Sequence, residues 1–114
     1  GIALTLPGIP VITSVAEGTN KLKVSWDNPD GTGTDGSIGY DLERDWSVGD
    51  VSYRVVIGND ISENTSTDMN LLSASEFGYR LQAKNTTGYS DWSGITRQTT
   101  TSISDGVPSQ VTIA

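Results

Sequence analysis

The chain contains no cysteine and no histidine. Without cysteine there are no disulfides and no thiolate metal centres. Without histidine, a Ser-His-Asp triad, a Cys-His pair and the usual zinc sites each lack a member. Cations are scarce: seven Lys and Arg stand against fourteen Asp and Glu, a net charge of −7. Nucleic-acid surfaces need clustered Lys and Arg, so no nucleic-acid partner is expected. No apolar run approaches the roughly 18–20 residues of a membrane-spanning helix, and no membrane insertion is expected. Nor does a basic segment followed by an apolar one open the sequence, which starts at Gly1 and reads as a mature chain or an excised piece. No cofactor is expected.

What the 114 residues do contain points to strands and turns. Ser and Thr account for 28 of them and Gly for 13, while Met occurs once. Ten Asp against four Glu is a turn bias, because Asp hydrogen-bonds its own backbone in turns. Three Trp and four Tyr sit inside alternating apolar patterns, which a disordered chain lacks. Seven strands are predicted, over residues 10–15, 21–26, 38–46, 51–57, 64–71, 78–85 and 95–100. Alternation turns Leu22, Val24 and Trp26 inward, and likewise Ile38, Tyr40 and Leu42. Residues 48–50 and Gly58-Asn59-Asp60 read as turns. The expected fold is an all-β, seven-stranded Greek-key β-sandwich.

Four pieces carry a family likeness. Leu22-x-Val24-x-Trp26-x-x-Pro29 looks like the second strand of a fibronectin type III domain, and Gly39-Tyr40-x-Leu42 resembles its third. Tyr79-x-Leu81-x-Ala83-x-Asn85-x-x-Gly88-x-Ser90 resembles the sixth strand and the turn after it, and Trp92-Ser93 followed by Thr99 resembles the last. The likeness runs from about Pro10 to Thr100. It implies a fibronectin type III sandwich with a core of Leu22, Val24, Trp26, Tyr40, Leu42, Tyr79, Leu81 and Ala83. It also implies a tyrosine corner at Tyr79, with the hydroxyl bonded to upstream backbone. The family's Leu-x5-Tyr spacing is stretched here, since six residues separate Leu72 from Tyr79. That implies one extra residue within 73–78.

Gly8-Ile9-Pro10 with Val15-Ala16 is echoed by Gly106-Val107-Pro108 with Ile113-Ala114, 98 residues later. The spacing suits one such domain and its linker. The expected organisation is a linker or preceding tail over 1–9, the domain over 10–101, and over 102–114 a linker with the first strand of a following repeat or a docking strand. Val107, Val111 and Ile113 would be that strand's apolar residues.

Several groups invite a functional reading. Asp27, Asn28, Asp30 and Asp35 crowd one Gly-rich loop, and oxygen-rich loops attract calcium. The EF-hand pattern fails, because Asp30-Gly31 at its fifth and sixth positions puts Trp26 at the first. The loop therefore reads as a solvated turn, with Asp27, Asp30 and Asp35 only as metal candidates. Asn64-Thr65-Ser66 and Asn85-Thr86-Thr87 are glycosylation sequons, at the frequency that so Ser/Thr-rich a chain produces by chance. Tyr89-Ser90-Asp91-Trp92-Ser93 is similar to the Trp-Ser-x-Trp-Ser box of cytokine receptors. Arg80 is placed to stack on Trp92 or Tyr89, as packing rather than a receptor signature. Asp41, Glu43 and Asp45 share one strand face, expected to be the solvated one and thus unsuited to acid–base work. No catalytic residue is expected, and the integrin tripeptide Arg-Gly-Asp is absent.

Three functions fit. The first is a non-catalytic structural spacer in an extracellular, repeat-built surface protein or filament, touching neighbouring copies or tandem domains head to tail. The second is a carbohydrate- or protein-binding accessory module of a secreted enzyme or adhesin, with Trp46 and Trp92 as platforms. The third is a decoration domain of a virus tail or capsid. A buried Trp46 favours the spacer; a Trp46 exposed beside Tyr53 favours the binding module.

Overall fold

The computed structural model describes residues 5–29 and 38–102. Seven strands run in the order β1 (Val11–Ala16), β2 (Leu22–Asp27), β3 (Gly39–Val48), β4 (Val51–Ile61), β5 (Thr65–Asp68), β6 (Glu76–Lys84) and β7 (Thr96–Thr99). They form two antiparallel sheets, one ordered β1-β2-β5 and the other β4-β3-β6-β7. The sequence alternation explains how the sheets face each other. Leu22, Val24 and Trp26 leave one sheet as Tyr40, Leu42, Phe77, Tyr79, Leu81 and Ala83 leave the other, and all are buried. The Trp26 and Tyr40 rings meet edge to face, 5.4 Å between centroids. Burying each large side chain contributes about 1.5–3 kcal/mol, and among the described residues this single cluster is the core.

Strand ends depart from the sequence reading where backbone geometry outweighs composition. Gly58-Asn59-Asp60 does not turn the chain; β4 continues to Ile61. Two register shifts against β3 absorb the extra residues. Asp60 takes a φ of 58° and donates its N–H to the Asp41 carboxylate at 2.9 Å, which holds the irregular stretch in the sheet. β5 stops at Asp68, shortly before Asn70 adopts a φ of 60°. Of the two adjacent leucines it is Leu71 that is buried, while Leu72 is 73% exposed. The spacing to Tyr79 is thus longer than one extra residue, since the anchor is Leu71.

The β3–β4 hairpin closes through Gly49 and Asp50, and Gly49 takes a φ of +61° that a two-residue turn between twisted strands favours. The chain enters the sandwich at Val11, opposite Asp27. It leaves at Thr101, whose N–H donates to Gly18 O at 2.9 Å in the turn between β1 and β2. Arrival and departure therefore lie at opposite ends of β1. Asp30 and Asp35, and the strand residues Val107, Val111 and Ile113, lie outside the described residues.

Candidate interaction surface

β3 carries a charged ladder on its outer face. Glu43 Oε1 accepts from Arg80 Nε at 2.6 Å and pairs with Arg54 at 3.3 Å. Asp45 accepts from Arg97 Nη1 at 2.9 Å. That pair crosses directly over Gly78, where a Cβ would meet Asp45 Oδ1 at 2.7 Å and Arg97 Nη1 at 2.9 Å. The Arg80 guanidinium lies 4.4 Å from the Trp92 ring centroid, and Lys84, not Arg80, lies over Tyr89 at 5.7 Å. This corrects the picture of a solvated carboxylate row. Asp41 is buried at 9% exposure, and Glu43 and Asp45 are largely covered by the arginines of β4, β6 and β7. Arginine side chains pair with Glu43 and Asp45, and the Asp60 backbone N–H donates to Asp41.

On the inner face the alternation of β3 continues past Leu42 to Arg44 and Trp46. Arg44 Nη1 donates to Asp68 Oδ1 at 2.8 Å, and Tyr79 Oη donates to Asp68 Oδ2 at 2.6 Å. The corner tyrosine thus binds a side-chain carboxylate, where backbone was expected. Burial, then the hydrogen bond to Asp68 and its negative charge, push the Tyr79 hydroxyl well above its ordinary pKa. The guanidinium lies 4.8 Å from the Trp46 ring centroid and 5.9 Å from that of Phe77. Arg44 and Asp68 were not singled out in the sequence, although the strand period already turned Arg44 inward.

Beyond this cluster the opposing sheet ends and the sandwich opens. A groove of about 490 Å³ runs between the β3–β4 hairpin and the β5–β6 connection, walled by Trp46, Val48, Leu71, Leu72 and Phe77 and floored by Arg44. Trp46 is half-buried there and stacks on Tyr53, with centroids 5.4 Å apart and planes at 18°. Tyr53 itself is 44% exposed. Trp46 therefore meets neither the buried nor the exposed arm of the test in full. Exposed Val48, Val51 and Val55 extend this apolar surface along the hairpin.

The remaining candidates stand apart from the groove. Asp27 is exposed at the end of β2, and no group of three or more acidic side chains able to hold a metal occurs among the described residues. Asn64 is exposed and donates to Asn28 Oδ1 at 3.0 Å, an oxygen that also accepts from Tyr40 Oη at 2.7 Å. Asn85 is half-buried. Its Oδ1 accepts from the Thr87 and Gly88 N–H groups and its Nδ2 donates to Thr5 O at 3.0 Å, so it shapes the turn after β6.

Neither a protein-family model nor a curated protein sequence matches the chain. Solved structures do. The fibronectin type III domain of human fibronectin type III domain containing protein 3 superposes with a TM-score of 0.67 at 25% identity, over 94% of each chain. A fourth FNIII domain from human superposes at 0.77 and 21% identity, over 91% of this chain and 87% of that one. The chain has the fibronectin type III fold. Domains A168–A170 of titin are also similar, with a TM-score of 0.67 and 23% identity over 85% of this chain and 33% of that one. Within the fibronectin type III frame, β1-β2-β5 and β4-β3-β6-β7 are the two sheets, and the groove lies on the inner face of the larger one.

Proposed function

We propose that this fibronectin type III domain is a non-catalytic spacer in an extracellular, repeat-built protein, holding neighbouring modules in line. The observation that carries the reading is the placement of the two chain ends. The chain arrives at one end of β1 and departs beside Gly18 at the other, so successive modules continue along one axis. The 98-residue echo of Gly8-Ile9-Pro10 supplies the register of such a repeat. Titin, among the similar structures, is likewise built of successive domains. The paired carboxylates of β3 favour a module without chemistry of its own. Two copies joined in series at the echo test the reading by small-angle scattering. In-line copies give a maximum dimension close to twice that of one copy; a folded-back pair with little increase overturns it.

A second reading has one specific observation in its favour. Exposed Tyr53, stacked on Trp46 beside an open groove, is a surface that takes a sugar face or an apolar peptide side chain. Quenching or a shift of tryptophan emission by a glycan or peptide library, lost in Trp46→Ala, supports that role. An unchanged emission across the library removes it.

A further inference from the structure

β4 is the edge strand of its sheet, eleven residues long, and among the described residues nothing pairs with its outer side. Such edges template strand addition unless they are blunted by proline, lysine or an inward charge. None of these devices occurs between Val51 and Ile61, where the one cation, Arg54, is already engaged by Glu43. Val51 through Val56 pair one to one with Val48 through Glu43, and the register shifts begin only beyond Val56. The regular part of the edge is therefore this short run. Its inner-face residues Val51, Tyr53 and Val55 are all exposed and apolar.

We propose that this edge pairs with β4 of a second copy of the chain, antiparallel and about a two-fold axis through Tyr53. The sequence of the edge selects both occupant and register. Opposed residues in an antiparallel pair must lie on the same face. With Tyr53 on the axis, Val51 faces the second copy's Val55, and Val55 faces its Val51. Ser52 faces Arg54, and Arg54 reaches diagonally towards the second copy's Asp50, a favourable cross-strand charge pair. Sliding the register by two residues towards Val55 would oppose Arg54 to Arg54, which like charges disfavour. The net charge of −7 does not stand in the way locally, because residues 51–59 contain no carboxylate. Stacking on Trp46 already holds the Tyr53 ring, which reduces the ordering cost of the contact. The contact is isologous and closed. It runs sideways to the in-line arrangement and does not depend on it.

Sedimentation velocity of the 114-residue chain tests this. The weight-average sedimentation coefficient rises between about 20 µM and about 1 mM, as suits a contact smaller than a standard interface. Val55→Lys, at an exposed site, abolishes the rise while leaving the far-UV circular dichroism unchanged. The register is read separately by Tyr53→Cys in this cysteine-free chain. Residues facing each other across an antiparallel pair come close enough for a disulfide to form. Oxidation then cross-links Tyr53→Cys at least about 10-fold faster than Leu72→Cys, whose site is more exposed but off the axis. A chain that stays monomeric to about 1 mM, with Tyr53→Cys and Leu72→Cys cross-linking at equal rates, overturns the proposal. The edge would then be left to a strand from a different protein. In-line tandem copies that show no lateral contact refute this pairing and leave the spacer reading standing.

Discussion

The two halves of β3 follow one alternating pattern and meet different fates. Gly39 to Leu42 is buried at every position, with β4 and β6 on either side and the three-stranded sheet above. From Glu43 onward the burial fades, and by Val48 the side chain stands 63% exposed. The inward residues are apolar or aromatic in both halves except at Arg44. What differs is the lid. β5 ends at Asp68, so the opposing sheet covers Tyr40 and Leu42 but not Trp46 or Val48. Alternation fixes the direction of a side chain; burial needs a second layer.

The covered half can be broken hardest. Trp26 fills it at 2% exposure, and Trp26→Ala is expected to cost ~3–5 kcal/mol in a denaturant titration. Its Nε1 is buried without a hydrogen-bond partner among the described residues, so Trp26→Phe removes an unsatisfied donor and costs clearly less than the alanine variant. At the boundary between the halves, Asp68→Ala strands the Arg44 cation and the Tyr79 hydroxyl, with an expected loss of about 3 kcal/mol. Replacing Arg44 and Asp68 together by Met and Leu recovers most of that loss, because no buried charge is left alone.

The same boundary gives a pH signature. The Tyr79 hydroxyl has its pKa raised in the folded state, above the ordinary value of 10.0. Its contribution is therefore complete below about pH 10 and is lost as pH rises further towards the folded value. Melting temperature is expected to hold from neutral pH to about 9.5 and to fall above 10; Tyr79→Phe flattens that fall. In the open half Trp46→Ala is expected to cost only about 1 kcal/mol, since half of that surface already faces water. The smallest expected effect concerns the loop after β2: adding millimolar calcium shifts the melting temperature by less than about 1 °C.

Much of the sandwich was legible in the sequence because period-2 patterns around Trp26, Tyr40 and Leu81 are local and strong. The strand ends were harder to read. Gly58-Asn59-Asp60 has the composition of a turn, yet the Asp41 carboxylate holds Asp60 within β4, a contact 19 residues away in sequence. The polar cluster was hidden for a related reason. Arg44 sits in phase with Leu42, but its inward placement is tolerable only because Asp68, on the other sheet, meets it. The groove and the free edge were invisible as well, since each depends on where a strand of the opposite sheet stops or where no neighbour follows. Residue chemistry marks a core face; it does not mark the end of its cover.

The first and last strands touch across the gap between the sheets. Gln98 Nε2 donates to Val15 O at 3.0 Å, and Thr101 N donates to Gly18 O, so β7 is stitched to β1 and its following turn. Both strands run from the arrival end of the domain towards the departure end. Tension applied through the chain ends draws β1 back towards the arrival end and β7 towards the departure end, so the stitches between them share the load in shear and do not open one by one. A domain placed in series under strain would therefore resist extension at this seam first, and weakening the seam with Gln98→Ala would lower its unfolding force while leaving the packed interior intact.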